Sequence, residues 1–270
     1  MKIVEYVAVL LVYRNIDDLS ECVDSILNIL NNCKIIVVNA YFDNKTKYQA
    51  KLIAQELGCE FINIDNLGYS YGNNVGIKFA LDNYLFSYII IANPDTVVKS
   101  FSLDGIESDV IAPCITNLKG KRQNPLIARR SRLAETLEYI GFKNNILSLA
   151  LVGVGIYKLG RVVFLSIYTF LRKKKARIYA PHGSFIIISF NALYDIAIDG
   201  ALFDENMFLF AEENVLAYLL KAHGMKAIYT SQVQILHKED GSIKLAQISQ
   251  SEEIKKSNLY FYEHYIMHNL

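Results

Sequence analysis

The sequence has few cysteines, and their spacing excludes two kinds of protein. Cys22, Cys33, Cys59 and Cys114 are scattered along 270 residues and form no C-x-x-C pair. Small secreted domains concentrate their cysteines in a disulfide framework, and structural zinc sites group them in close pairs. The four thiols therefore predict reduced cysteines, as in a cytoplasmic protein, and neither disulfides nor a zinc site.

The sequence also lacks charge imbalance, nucleotide-binding glycine motifs and a signal peptide. The net charge is +1, so no global field attracts nucleic acid, and we expect no nucleic-acid partner. No G-x-G-x-x-G follows the first apolar run and no G-x-x-x-x-G-K-[ST] occurs, which argues against a dinucleotide dehydrogenase and a P-loop nucleotidase. Glu5 stands where a signal peptide would continue its apolar core, so we expect no export by that route.

Strand and helix patterns alternate over the first 65 residues. Short apolar runs predict strands, and apolar residues at i, i+3, i+4 and i+7 predict the helices between them. In chain order the predicted elements are a strand at 7–12, a helix at 19–30, a strand at 35–38, a helix at 45–57 and a strand at 60–64. This order implies right-handed crossovers and a mostly parallel α/β sheet flanked by helices.

A carboxylate follows the most apolar of the later strands. The run at 88–92 is rich in isoleucine, as in a strand buried on both faces, and Asn93-Pro94-Asp95-Thr96 comes directly after it. Ligands of open α/β sheets bind at the carboxyl ends of strands, and Asp95 offers the oxygen atoms that Mg²⁺ or Mn²⁺ prefers. Asn-Pro-Asp is also ordinary turn chemistry, so the tetrapeptide alone leaves both interpretations open.

Three further blocks accompany this carboxylate. Residues 66–77 form a Gly/Asn-rich segment before a helical pattern, where glycines allow a ligand close to the backbone. Glu212 and Glu213 begin a second helical pattern; acids there are favoured by the helix dipole and also suit general-base chemistry. His237 follows an apolar strand at 233–236.

In this order the blocks resemble the family-2 glycosyltransferases, a large inverting group with the GT-A fold that includes bacterial rhamnosyltransferases. The resemblance spans roughly residues 5 to 240. The residues that carry it are Asn66, Gly68, Asn74, Gly76, Asn93, Asp95, Gly183, Phe203, Asp204, Glu205, Glu212, Glu213 and His237.

The resemblance implies roles for these positions. A carboxylate must take the proton of the attacking hydroxyl, and this role maps onto Glu213, with Glu212 in reserve. Asp95 and His237 would bind Mg²⁺ or Mn²⁺ together with the donor diphosphate. The residues expected on the donor nucleotide are Tyr13, Asn15, Asn39, Asp43, Gly68, Asn74 and Asn93. Those expected around the acceptor are His182, Gly183, Asp204 and Glu205.

The sequence departs from the family pattern after the second strand. The family usually has an Asp just before Asn-Ala-Ser, whereas here the chain reads Asn39-Ala40-Tyr41-Phe42-Asp43. Either Asn39 takes over that contact with the nucleotide, or Asp43 reaches back from one turn later. Tyr13 has two interpretations of its own, stacking on the base and ordinary packing at a strand end.

An apolar, basic insert at about 141–177 interrupts the catalytic pattern. Residues 146–171 are apolar except for a few polar positions, among them Lys158 and Arg161, and a cluster of Arg172 and Lys173 to Lys175 follows. Central charges disfavour a spanning helix. We expect an interfacial helix or hairpin on the cytoplasmic leaflet, and the alternative is an insert buried in the core. The catalytic domain would then cover 1–240, with a helical tail at 241–270.

Together these features predict a metal-dependent, inverting hexosyltransferase. It would move a sugar from a UDP- or dTDP-sugar to a hydroxyl of a carbohydrate or lipid-linked acceptor during synthesis of a bacterial surface polysaccharide. We expect a cytoplasmic protein, peripheral on the inner face of the plasma membrane. Two alternatives remain. A sugar nucleotidyltransferase should carry a glycine-rich basic loop after the first strand, which is absent at 12–15, and a noncatalytic scaffold with the same fold need not keep Asp95 and Glu213.

Overall fold

The structure, a computed structural model, describes residues 1–14, 16–239 and 249–267. The strands are β1 (Lys2–Ile3), β2 (Tyr6–Val12), β3 (Cys33–Tyr41), β4 (Glu60–Asp65), β5 (Tyr84–Leu85), β6 (Tyr88–Ala92), β7 (Thr96–Ser100), β8 (Val110–Asn117), β9 (Lys175–Ile178), β10 (Phe185–Ser189) and β11 (Ala227–His237). The helices are α1 (Leu19–Leu27), α2 (Asn44–Glu56), α3 (Tyr69–Asn83), α4 (Arg132–Lys143), α5 (Leu147–Phe170), α6 (Phe190–Ile196), α7 (Glu212–Ala222) and α8 (Gln250–Phe261), which continues into a π-helical turn (Tyr262–Ile266).

The main sheet is mixed, and its first half is the parallel part. Strands β4, β3, β2 and β6 lie side by side and parallel, as the alternating pattern predicts. Strand β10 then pairs antiparallel with both β6 and β8, and β11 runs parallel to β8 but antiparallel to β7 and β9. The sequence pattern did not predict the antiparallel strands of this second half, because a buried apolar run gives no information about strand direction.

Helices cover both faces of the sheet. Successive side chains of β2 point to opposite faces, so Val7 and Val9 pack on the side of α3, α6 and α7, while Ala8 and Leu10 pack on the side of α1 and α2. Every one of these four side chains is fully buried. The core therefore consists of two apolar layers, and the strand ends that carry the polar residues lie at its rim.

Helix α3 begins earlier than the Gly/Asn-rich segment suggests. We expected glycines there to let a ligand approach the backbone, but Gly72 and Gly76 lie inside α3. A Cβ atom at Gly72 would lie 2.4 Å from Leu11, and one at Gly76 would lie 2.3 Å from Val9. These two glycines therefore allow close packing of α3 on β2, which is a structural role that the sequence pattern did not indicate.

Helices α4 and α5 form a closely packed hairpin. A Cβ atom at Gly141 would lie 2.4 Å from the backbone nitrogen of Ala150, and one at Gly153 would lie 2.7 Å from the carbonyl of Ala134. Near the other end of α5, the Tyr168 ring packs edge-on against Tyr229. Only Ala150, Gly153 and Tyr168 of α5 are buried, so the alternative of an insert buried in the core is wrong.

The C-terminal helix packs against the rest of the chain. The hydroxyls of Tyr260 and Tyr265 donate to Oδ2 of Asp204, at 3.0 and 2.7 Å. The rings of Tyr139 and Tyr262 stack at 4.1 Å and join α4 to the π-helical turn. Residues 249–267 thus complete a wall of the cleft described next. The predicted boundary at 240 lies outside the described residues.

Candidate active site

A cleft of about 790 Å³ lies at the carboxyl ends of β2 and β6. Its floor consists of residues that follow these strands and the end of β11. One side is the N-terminus of α7, and the opposite wall consists of side chains from α4, α5 and α8. Predicted site residues that border the cleft are Tyr13, Gly68, Asn93, Asp95, His182, Gly183, Glu212, Glu213 and His237.

Asp95 and His237 meet at the floor of this cleft. Strand β7 begins at Thr96, directly after Asp95, and pairs there with His237 at the end of β11, so that Nε2 of His237 lies 3.3 Å from Oδ2 of Asp95. Oε1 of Gln123 lies 2.8 Å from Nδ1 of His237, while Nε2 of Gln123 donates to Glu239. With the amide in this orientation Oε1 is the acceptor, so Nδ1 carries a proton and Nε2 is the ring nitrogen that faces Asp95.

This arrangement fits a divalent cation. An imidazole nitrogen and a carboxylate oxygen 3.3 Å apart attract each other through a proton on the nitrogen or, where that nitrogen carries no proton, through a cation between them. Gln123 fixes the ring orientation in the way that outer hydrogen bonds fix metal-binding histidines. In the described part of the chain no three His, Cys, Asp or Glu side chains group as a metal site. Asp95 and His237 could therefore hold a metal together with oxygen atoms of a substrate and of water.

Glu213 lies at the start of α7 with one oxygen already engaged. Its Oε1 accepts a hydrogen bond from the backbone N–H of Gly183 at 2.9 Å. A Cβ atom at Gly183 would come within 2.6 Å of the same oxygen, so only glycine allows this contact. Burial raises the pKa of Glu213, which makes the carboxylate a stronger base. The hydroxyl of Tyr69 donates to the Gly183 carbonyl at 3.0 Å and ties α3 to the same turn.

Glu212 is the more buried of the two adjacent acids. Its side chain is 4% exposed, and Oε1 is buried without a hydrogen-bond partner. Burial, with the neighbouring Glu213 charge, raises the pKa of Glu212 to about 8. Burial and their mutual repulsion therefore favour a proton on one of the two acids, and Glu213 alone accepts from the backbone N–H of Gly183.

His182 borders the cleft as a neutral ring. Burial, together with His237 and Arg161 nearby, lowers the pKa of His182 to about 3. Its Nδ1 accepts from the backbone N–H of Ser184 at 3.2 Å, which leaves the proton on Nε2. The rings of His182 and His237 lie 5.7 Å apart. His182 can thus donate a hydrogen bond in the cleft without adding charge.

The end of the cleft beside β2 is aromatic. Tyr13 lies directly after β2 and contacts Phe42 edge-on, with ring centroids 6.2 Å apart. The guanidinium of Arg14 lies over the Phe42 ring at 3.9 Å, and its Nε donates to the Tyr13 hydroxyl at 3.1 Å. Asn15, which we also expected here, lies outside the described residues. Both interpretations of Tyr13 are compatible with this position, because the ring packs on Phe42 and also borders the cleft.

Gly68 and Asn93 border the cleft, and the backbone of each residue is fixed by a neighbouring turn. Gly68 has a positive φ of 108°, and a Cβ atom there would lie 2.5 Å from the carbonyl oxygen of Phe208. The backbone N–H of Asn93 donates to Ser184 at 2.9 Å, so the turn before Asp95 is tied to the turn after His182. Both residues therefore shape the floor of the cleft.

Three residues expected on the nucleotide do not border the cleft. Asn39 is buried and donates to the side chain of Asn63 at 2.8 Å. Asp43 caps α2 by accepting from the backbone of Thr46 at 2.7 Å. The amide of Asn74 is fully occupied by the turn described next. Neither alternative for the second strand thus leads to the cleft, where only Ala40 of that segment is present.

Hydrogen bonds of Asn74 join α3 to the loop that contains residues 202–205. Oδ1 of Asn74 accepts from the backbones of Leu202 and Phe203, and Nδ2 donates to Phe203 and to Glu205. Burial opposes ionisation of Asp204, but hydrogen bonds from tyrosine and asparagine side chains lower its pKa overall. Neither acid borders the cleft, and in this structure both fix the loop before α7, so their contact with an acceptor stays a prediction.

Several residues of the cleft were missed from the sequence. Gln123 orients His237 but lies in a basic segment without any periodic pattern, and Tyr69 was expected in a loop. The opposite wall contains Glu138, whose burial raises its pKa to about 7, and Arg161, which donates to the Gln123 carbonyl at 3.0 Å. The helical spacing of apolar residues in the insert predicted a helix there, but it did not indicate which side of that helix faces the cleft.

Comparisons with known proteins identify the fold. No protein-family model matches the sequence, and no curated protein sequence matches it. The structure resembles GalNAc-T7, solved with UDP, GalNAc and Mn²⁺, with a TM-score of 0.58 and 12% identity over 87% of this chain and 44% of that chain. It also resembles TarS of S. aureus, with a TM-score of 0.55 and 11% identity over 98% of this chain and 44% of that chain.

A shorter TarS chain, residues 1–349 with UDP-GlcNAc, gives a TM-score of 0.52 and 12% identity over 91% of this chain and 62% of that chain. This chain spans less than half the length of GalNAc-T7 and of full TarS. At these identities the likeness concerns the fold. The chain has the GT-A glycosyltransferase fold.

Proposed function

We propose that this protein is a metal-dependent, inverting glycosyltransferase that moves a sugar from a nucleoside diphosphate donor to a hydroxyl of a carbohydrate or lipid-linked acceptor. The observation that carries the proposal is the composition of one cleft. The Asp95–His237 pair, suited to a metal and a diphosphate, shares that cleft with Glu213, a buried carboxylate suited to a general base. The GT-A fold supports this assignment.

The donor would lie between Tyr13 and the Asp95–His237 pair. Tyr13 offers an aromatic face for a nucleobase at the end of β2. Asp95 and His237 would hold Mg²⁺ or Mn²⁺, which neutralises the charge of the leaving diphosphate. The neighbouring structures with UDP and Mn²⁺, and with UDP-GlcNAc, support a UDP-sugar or the related dTDP-sugar.

Glu213 would take the proton of the acceptor hydroxyl. Its Oε1 is held by Gly183, which fixes the carboxylate while Oε2 remains for the acceptor. As the acceptor oxygen bonds to the anomeric carbon, the bond from that carbon to the diphosphate breaks, the proton passes to Glu213 and the anomeric configuration inverts. Glu212 would remain protonated beside it and limit the repulsion between the two acids.

Two variants separate the donor side from the acceptor side. Asp95→Ala is expected to abolish turnover and to weaken nucleotide binding that depends on Mn²⁺. Glu213→Gln is expected to keep nucleotide affinity and to lower kcat by about 10² or more, the scale of a lost general base. Thermal shifts with a panel of nucleotides and Mn²⁺ measure the binding, because a ligand at 100 times its Kd adds about 2.7 kcal/mol of stability.

The outcomes discriminate between the alternatives. Normal transfer by folded Asp95→Ala would overturn the assignment of the metal and diphosphate site. If Glu212→Gln loses turnover while Glu213→Gln does not, the base is the other acid. Nucleotide binding without any turnover or donor hydrolysis would instead favour a noncatalytic scaffold. The biological setting that we propose is synthesis of a bacterial surface polysaccharide, and lipid-linked glycans are therefore the first acceptors to test.

A further inference from the structure

One side of α5 is exposed and mostly apolar along its length, with Lys158 near its edge and a few hydroxyl residues within it. At 100° per residue this side covers roughly 200° of the helix, and its large side chains face away from α4 and the sheet. Phe170 is 85% exposed and Leu159 is 65% exposed. We call this surface the outer face of α5; its large residues are Leu147, Leu151, Val152, Leu159, Val162, Val163, Ile167 and Phe170.

A basic cluster adjoins the outer face at the C-terminal end of the helix. Residues 146–178 contain seven basic residues and no acidic one. Arg172, Lys173 and Lys174 are exposed, and together with Arg122 and polar side chains they line a shallow pocket beside Thr169. A concave group of cations next to an apolar surface suits the phosphates of an anionic lipid headgroup.

The inner side of α5 shows that the helix lies along the protein surface. The helix is long and apolar enough to cross a membrane by length and composition. Its inner side, however, contacts the rest of the chain, since Tyr157 donates to Ser131, Arg161 donates to Gln123 and Tyr168 donates to Lys174. A spanning helix would have to break these contacts and carry Lys158 and Arg161 through the apolar layer.

We propose that the outer face of α5 and its basic cluster dock on the surface of an anionic lipid bilayer, with the helix lying in the interface. A bilayer supplies both an apolar layer and negative charge, which match the two parts of this surface. A second copy packed through the same surface would match only the apolar part, because residues 146–178 contain no acid to pair with the basic cluster. The proposal concerns location and does not depend on the glycosyltransferase activity.

Vesicle sedimentation of the full chain tests the proposal. We expect binding to vesicles that contain phosphatidylglycerol, at least roughly tenfold weaker binding to pure phosphatidylcholine, and partial release by high salt. Lys173→Ser with Lys174→Ser should weaken binding to the anionic vesicles roughly tenfold or more, since each cation near such a surface contributes measurably. The matched control, Lys45→Ser with Lys51→Ser on α2, makes the same change in net charge and should bind normally.

A second pair of variants tests the apolar part. Leu159→Asp with Val163→Asp should abolish vesicle binding, whereas Tyr194→Asp with Ile198→Asp places the same charges on exposed apolar residues elsewhere and should leave it intact. Equal binding to neutral and anionic vesicles, or none to either, would overturn the proposal. So would a dimer in solution that the α5 variants disrupt without any vesicle binding. Thermal shifts with a nucleotide and Mn²⁺ should be unchanged in every variant, which keeps this result separate from the proposed activity.

Discussion

The adjacent acids at the start of α7 are expected to make the folded protein less stable as pH rises. Burial and the Glu213 charge raise the pKa of Glu212 from an ordinary value of 4.5 to about 8. The folded chain therefore keeps a proton that the unfolded chain releases between these pH values. The contribution to stability is fully present below about pH 4.5 and is lost as pH rises through about 8.

Glu212→Gln should weaken this dependence, although Glu213 and Glu138 remain and have raised pKa values of their own. The amide keeps the shape of the side chain and cannot ionise. Each pKa unit is worth about 1.4 kcal/mol, so the rise from 4.5 to about 8 limits the effect to about 5 kcal/mol. Because the side chain borders an open cleft, we expect on the order of 2 to 4 kcal/mol. The variant and the wild type should have similar free energies of unfolding at acid pH, and the variant should be more stable at alkaline pH.

Denaturant unfolding at a series of pH values, with a chelator and without nucleotide, measures the difference. Glu107→Gln, a change of an exposed carboxylate in a loop, serves as the control and should follow the wild type. Glu138 remains in all three proteins and contributes in the same direction, since burial raises its pKa to about 7. Parallel curves for wild type and Glu212→Gln across this range would refute the reasoning, because they would mean that Glu212 titrates alike in the folded and unfolded chain.

Two further substitutions test positions that the structure singles out. Gly183→Ala places a methyl group 2.6 Å from the carboxylate end of Glu213, so we expect normal folding and a kcat lower by roughly tenfold or more. Gly155→Ala, where the methyl group enters open space, is the control, and equal kcat values for the two variants would contradict the contact. Asn74→Ala leaves buried backbone groups unpaired and should cost about 2 to 5 kcal/mol in denaturant unfolding, whereas Asn83→Ala on the exposed side of the same helix should cost about 0.5 kcal/mol or less.

Local patterns were sufficient to predict the residues at strand ends and helix starts. Asp95 follows a run that only a buried strand explains, and His237 ends another such run. Acids at the start of a helical pattern identified Glu213 in the same way. The resemblance to the family placed these three in one site in advance, and in the structure β7, which starts directly after Asp95, pairs with the end of β11 at His237. The antiparallel orientation of β10 and β7 could not be predicted, because an apolar run does not indicate the direction of its strand.

The sequence could not separate polar residues that face a ligand from those that hold a loop. Asn74 and Asp204 both occupy positions of the family-like blocks, and both are polar where the chain is otherwise apolar. Their partners decide their roles, and those partners lie far away in sequence, at Phe203 for Asn74 and at Tyr265 for Asp204. No local period encodes such pairs. The same reason explains why Gln123 was missed as the partner of His237.

A helical period of 3.6 residues allows α5 to serve the cleft and the proposed membrane surface at once. Tyr157 and Arg161 lie on the inner side and border the cleft, whereas Leu159 and Val163 lie on the outer face. The two surfaces are separated by one helix, about 10 to 12 Å across. An acceptor anchored in a bilayer under the outer face would reach the cleft after crossing that distance, while a freely diffusing acceptor would gain nothing from it. Taken together, the two proposals therefore favour an acceptor that carries its own lipid anchor.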